Sequence, residues 1–346
     1  MKATSISSPE LLDSNSLARG LAMLAVVLCH VPYADPFWRP LWAFASAGKL
    51  AVSVFLFSSG LLLQHQVNRA GGLEILPWLK KRFWRIYPLY WTGLALALVC
   101  ARIFRHKTFA AAALAANVAG IPLVLRQPVI SSGYTSPFWF ISLLLACYVL
   151  FLFVHGVRRK GWLVGGALLV SFVGLRGNHF MGAALLAFPA FFMGMWMADE
   201  LARRGEASSD VRLQAAIFLP LLAVLALVFK GARYFHLDPR YSVWLELAGC
   251  LGLTVVPWPA LVLVAFVRKT LAGLAPALLR GLLWTSGLSF AVYCIHEPLL
   301  IILEKGTQTG HPGLGLLLYA GATLGAAWGL EAAGKRLAPA NRRKSS

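Results

Sequence analysis

Apolar runs of membrane-crossing length recur along this whole chain, and they leave room for one class of fold. A hydrocarbon core of about 30 Å takes about 20 mostly apolar residues per helix. Candidate runs lie at 17–31, 42–63, 86–103, 110–125, 138–154, 162–175, 181–198, 213–229, 243–267, 282–303 and 314–330. Inside lipid each backbone N–H and C=O must find a partner within the protein, so runs of this kind read as helices. The sequence predicts an all-α polytopic membrane protein. With 59% hydrophobic and 13% charged residues and a mean hydropathy of +0.70, no polar stretch is long enough for a separate soluble domain.

Loop charge refines the count. If all eleven runs cross from a cytoplasmic N-terminus, four basic clusters fall outside: Arg158-Arg159-Lys160, Arg203-Arg204, Arg268-Lys269 and Arg342-Arg343-Lys344. That contradicts the inside bias of lysine and arginine. Removing 110–125, an Ala-rich run, returns every cluster to the cytoplasm. The expectation is ten transmembrane helices in one bundle with both termini cytoplasmic, and 110–125 re-entrant or at the outer surface. Residues 1–14 then form a cytoplasmic segment, 15–332 the transmembrane domain and 333–346 a basic cytoplasmic tail. No cleavable signal precedes the first run. The net charge of +19 belongs to these short loops, so it argues for a bilayer partner and against nucleic acid. Cys29, Cys100, Cys147, Cys250 and Cys294 all sit in apolar runs and read as small buried residues. Pro257 and Pro259 should kink or end the ninth helix.

Charges at membrane depth point to chemistry. The first run holds Arg19 and His30, eleven residues apart, which places them on one helical face about 16 Å apart along the axis. An ionisable group there costs about 3 kcal/mol or more, so such groups commonly mark a site. Before the third run stands Lys80-Lys81-Arg82-Phe83-Trp84-Arg85-Ile86-Tyr87-Pro88. Arg82 and Arg85, three apart, should face the same way, as a lipid anchor or as a clamp for a phosphorylated ligand. In the second run, Ser53, Ser58, Ser59 and Gly60 suit close helix packing, or Ser53 and Ser59 line a polar channel. Late in the chain, Tyr293 and His296 share a face beside Glu297 and Pro298, a helix cap or part of a site. Phe138-Trp139-Phe140-Ile141 reads as an aromatic belt. His65, His106, His155, His179, His236 and His311 lack metal-like spacing.

Taken in order, these stretches resemble the membrane-bound acyltransferase-3 family of O-acyltransferases. Arg19 and His30 match its first-helix pattern, Val54 to Gly60 its second-helix run, and Arg82, Arg85 and Pro88-Leu89-Tyr90 its basic motif. Trp139-Phe140-Ile141 with Tyr148, and Tyr293, His296 and Pro298, match two later motifs. Ser16, Ser53 and Ser142-Leu143-Leu144-Leu145-Ala146 stand where many members carry carboxylates.

The resemblance implies transfer of an acetyl or other short acyl group from acyl-CoA to a hydroxyl of an envelope glycan or small molecule, in a bacterial inner membrane. No tightly bound cofactor or metal is implied. His30 is the implied base, and Arg19 holds a CoA phosphate or steadies charge on the thioester oxygen. Arg82, Arg85 and Lys81 receive the nucleotide end of CoA, while Tyr293, His296, Ser53 and Ser59 line the acceptor side. The alternative is a non-catalytic transporter of an anionic or lipid-linked substrate that uses the same arginines.

Overall fold

The computed structural model describes residues 5–30, 47–130, 138–177, 182–204, 209–226, 228, 239–306 and 312–337. His179, His236, His311 and the Arg342-Arg343-Lys344 tail lie outside the described residues. The described chain is almost entirely helical: α1 (Ser8–Cys29), α2 (Ala47–Ala70), α3 (Ile75–Arg105), α4 (Ala111–Val118), α5 (Trp139–Val154), α6 (Lys160–Gly177), α7 (Gly182–Ala187), α8 (Pro189–Arg204), α9 (Val211–Ala226), α10 (Pro239–Val255), α11 (Pro257–Leu274), α12 (Pro276–Gly287), α13 (Ser289–Gly306) and α14 (Pro312–Leu337). A two-residue antiparallel pairing joins Ser5–Ile6 to Ser209–Asp210.

Among the described residues, five helical stretches are long and apolar enough to cross a membrane, one joining α7 to α8 and one joining α10 to α11, or six if α12 and α13 form one span. Parts of α5, α6 and α9 are apolar but shorter. This is fewer than the ten expected. The run at 110–125 contains only α4, eight residues and about 12 Å long, too short to cross as a helix. Helix α10 ends at Val255 and α11 begins on Pro257, at the first helical position, where the N–H that proline lacks is not needed. Many large apolar side chains face outward, including Phe153, Trp162, Leu169, Val173, Leu219 and Leu274. An exterior of this kind suits hydrocarbon as the solvent.

Helix α1 starts at Ser8, ahead of the apolar run at 17–31, where the Glu10 carboxylate reaches back to Ser7 as one half of a capping box. The Ser7 N–H donates to Glu10 Oε2 at 2.8 Å, and the Ser7 hydroxyl donates to the same oxygen at 3.0 Å. Lys269 Nζ pairs with the other carboxylate oxygen at 3.0 Å.

The helices fall into two compact units, Met1–Cys29 with Ala43–Leu73 and Ala146–Ser286, and His30–Trp42 with Glu74–Leu145 and Gly287–Ser346. In the first, α2 packs on α8 and α1, α1 on α11, and α6 on α8. The α2–α8 contact is close because two glycines answer each other. A Cβ on Gly60 would strike the Phe191 carbonyl oxygen, and one on Gly194 would strike that of Phe57. Small residues at a lipid-embedded helix crossing allow this approach. Ser53 is fully buried and its hydroxyl donates back to Leu50 O at 2.7 Å, so it serves its own helix. Ser58 is buried and Ser59 half-buried in the same helix. Gly60→Leu and Gly194→Leu are each expected to lower the melting temperature in detergent, with a cost of about 1–3 kcal/mol from overpacking.

Lys160, expected in an exposed basic loop, is only 2% exposed. Its ammonium lies 2.8 Å from Asp199 Oδ2 and donates to His155 O at 2.9 Å and Val157 O at 3.0 Å. Three acceptors use all three N–H groups. Lys160→Met leaves Asp199 without this counter-charge and is expected to destabilise the protein by about 3 kcal/mol in thermal unfolding.

In the second unit α3 packs on α13, α14 and α4. An eight-residue helix is not stable alone. The terminal carbonyls of α4 are met by aromatic donors from α3: Tyr90 Oη to Asn117 O, Trp91 Nε1 to Val118 O at 2.9 Å and Tyr87 Oη to Ala119 O at 2.8 Å. The Asn117 side chain donates to Ala113 O and Pro128 O, both at 2.8 Å, and accepts from Ile130 N at 3.0 Å. One buried amide thus folds the connection back on α4.

Candidate functional site

The site is built on α13. Proline at 298 has no N–H, so the carbonyl four residues earlier, that of Cys294, loses its helical donor. Helix α3 brings Gly93 to that carbonyl. A Cβ there would lie 2.9 Å from the Cys294 carbonyl carbon and nearer still to its oxygen. The Cys100 thiol, about two helical turns further along α3, reaches Pro298 O at 3.9 Å. This close contact seats the segment that carries Tyr293, His296 and Glu297.

His296 and Glu297 are fully buried, and Tyr293 nearly so. The Tyr293 ring lies edge-on to Phe140 at 5.5 Å and stacks with Phe290 at 6.3 Å. The Tyr319 hydroxyl of α14 donates to His296 O at 3.1 Å. His296 Nε2 then stands 3.3 Å from His30 Nδ1, with ring centroids 5.0 Å apart.

This geometry orders the protons. His296 Nδ1 is 2.8 Å from Tyr293 O, and a carbonyl only accepts, so Nδ1 carries the hydrogen. In the neutral imidazole Nε2 then holds a lone pair and accepts from His30 Nδ1–H. A neutral His30 in that tautomer carries its own lone pair on Nε2. The pair therefore orients one histidine through the other and presents a basic nitrogen on His30, which is half-buried.

The other expected residues distribute as follows. Arg19 is half-buried in α1 and belongs to the first unit, whereas His30 belongs to the second. Arg82 is 6% exposed, with its guanidinium carbon 5.5 Å from the Trp78 ring centroid. Arg85 and Lys81 are exposed. The expectation that Arg82 and Arg85 face alike is corrected: the buried stripe of α3 runs Trp78, Arg82, Ile86, Tyr90, at steps of four. A step of three leaves Arg85 to one side of it. The aromatic neighbours cluster on the outside of α3, where Phe83 stacks on Tyr87 at 4.7 Å and Tyr87 meets Trp91 at 5.2 Å.

His296, assigned by the resemblance to the acceptor side, is the direct neighbour of His30. Phe138, Phe140 and Ile141, expected as an interfacial belt, are buried. They pack inward because Phe138 meets Tyr90 at 5.5 Å and Phe140 meets Tyr293. Gly93 and Asn117 escaped the sequence reading, and Tyr90 entered it only as the end of the Pro88-Leu89-Tyr90 match. A lone asparagine in the Ala-rich 110–125 run was the available signal for Asn117.

A family model, the acyltransferase domain called acyltransferase 3, matches residues 13–332. Acyltransferase MdmB of Streptomyces mycarofaciens is 25% identical over 315 residues, covering 80% of this chain and 76% of that protein. No solved structure matches.

Proposed function

The chain belongs to the acyltransferase-3 family and is an acyltransferase, and from that premise we propose that it is an integral-membrane O-acyltransferase. In this reading it moves an acetyl or other short acyl group from acyl-CoA to a hydroxyl of an envelope glycan or small molecule. The single observation that supports it is the His30–His296 pair, with His296 held by Tyr293 O. A sugar hydroxyl is a weak nucleophile at neutral pH and needs a base near its attacking oxygen. His30 Nε2 takes that proton as the oxygen attacks the thioester carbonyl. Collapse of the tetrahedral intermediate breaks the C–S bond, and the proton passes to the departing CoA thiolate. Histidine returns to its starting form, and the products are an ester and a free thiol.

His296 acts here as a positioning residue, fixing the His30 tautomer. Arg19 holds a CoA phosphate or offsets charge on the thioester oxygen. Arg82, pre-oriented against Trp78, receives a phosphate together with the exposed Arg85 and Lys81. Tyr293, Ser53 and Ser59 keep the acceptor-side assignment that the resemblance implies. The loop charges favour ten spans with both termini cytoplasmic, in a bacterial inner membrane. With an acyltransferase as the premise, the transporter alternative falls away.

The test uses purified protein in nanodiscs, with acetyl-CoA binding and slow release of free CoA thiol as readouts. Wild type should bind and release thiol, and Arg82→Ala should bind at least tenfold more weakly. A folded wild type with no affinity for acetyl-CoA or longer acyl-CoAs removes the donor from this reading.

A further inference from the structure

A cavity of about 590 Å³ opens within the first unit, between the C-terminal turns of α2 and α8 and the turn that starts α6. Its polar lining includes Gln64, Asn68, Arg158, Lys160, Asp199 and Arg203. The hydrogen bonds there run in one direction. Asp199 Oδ2 is engaged by Lys160, so Asp199 Oδ1 remains, and it accepts from Asn68 Nδ2 at 2.9 Å. A carboxylate only accepts, which fixes the Asn68 amide. Asn68 Oδ1 must then accept, and it does so from Gln64 Nε2 at 2.9 Å. Gln64 Oε1 is left as an acceptor. It is buried, its residue is 3% exposed, and it has no hydrogen-bond partner among the described residues.

A buried acceptor of this kind needs a donor. The rim supplies the second requirement. Lys160 is saturated by its three acceptors, but Arg158 is exposed. Arg203 engages Glu200 through one nitrogen at 2.7 Å, with its side chain 61% exposed. Guanidinium forks suit phosphate oxygens. The cavity also lies where helices α2 and α8 end, the level at which lipid headgroups meet protein.

We propose that this cavity binds a phosphate ester that also carries a hydroxyl or amino donor, the phosphate on Arg158 and Arg203 and the donor on Gln64 Oε1. This goes beyond acyl transfer and does not rest on it. The same chemistry is offered by a soluble polyol phosphate and by a glycerol-bearing phospholipid headgroup.

The full chain in detergent is titrated with glycerol 1-phosphate, and separately equilibrated with phosphatidylglycerol or phosphatidylcholine and read by native mass spectrometry. Wild type should bind glycerol 1-phosphate, or retain phosphatidylglycerol at least tenfold over phosphatidylcholine. The first result assigns a soluble ester and the second a headgroup. Gln64→Leu should lose at least tenfold in whichever arm responds, with the melting temperature recorded beside it. The Arg158→Gln/Arg203→Gln double variant alters only exposed side chains and should lose as much, so it decides if Gln64→Leu fails to fold. Binding in neither arm overturns the proposal. So does a folded Gln64→Leu, or the double arginine variant, that binds like wild type.

Discussion

His30→Ala is expected to lower acyl transfer by about 10²–10⁴-fold while leaving acyl-CoA binding intact, because a general base contributes on that scale. His296→Leu should lower kcat by about 100-fold, with KM for acyl-CoA unchanged, since it removes only the acceptor that orients His30. The conservative His296→Gln carries an amide oxygen that can accept from His30 Nδ1–H, so it should recover part of the loss. That partial recovery separates a positioning role from simple packing at a fully buried residue. Steady-state kinetics on the four proteins, with thiol release as readout, checks it. Equal loss in His296→Leu and His296→Gln, or wild-type rates in His30→Ala, would remove the pair from catalysis.

Gly93→Val is expected to be as damaging, although Gly93 carries no chemistry. The Cys294 carbonyl, left without a helical donor by Pro298, occupies the space that a side chain at 93 would need. The neighbour in the way is backbone, which cannot turn aside as a side chain would. Either α3 moves off α13 or the segment holding His296 shifts. Overpacking alone costs about 1–3 kcal/mol, and a shift of about 1 Å in His296 can cost about 100-fold in rate. Gly93→Val should lose both melting temperature and activity, whereas Gly165→Ala in α6, with open space around its Cβ position, should lose neither. Differential scanning fluorimetry beside the activity assay checks both variants. A Gly93→Val protein as stable and active as wild type would mean that α3 and α13 are not held at this spacing.

How much of this was legible in the sequence differs from residue to residue. The length of the apolar runs, the ionisable side chains of His30, Tyr293 and His296, and the helix boundary at Pro257 are local properties. Each follows from composition, spacing or a missing N–H, and a sequence displays them directly. Loop charge also separated 110–125 from the other runs, and the structure holds only the short α4 there.

The contacts that make the site were not legible. In water a helix declares its buried face by alternating with polar residues. In lipid both faces are apolar, so periodicity does not tell a core-facing side chain from a lipid-facing one. This is why Phe138 and Phe140 read as a surface belt and are buried, and why Arg82 and Arg85 read as a pair and are divided. It is also why Lys160 read as loop charge and lies inside. The sequence by itself determined a helical membrane enzyme, with its histidines and its basic motif. Only the tertiary structure decided that His30 and His296, 266 residues apart, share a hydrogen bond. That contact depends on which apolar face of α13 meets α3, and the choice is made by close packing at Gly93, where shape replaces hydropathy as the deciding force.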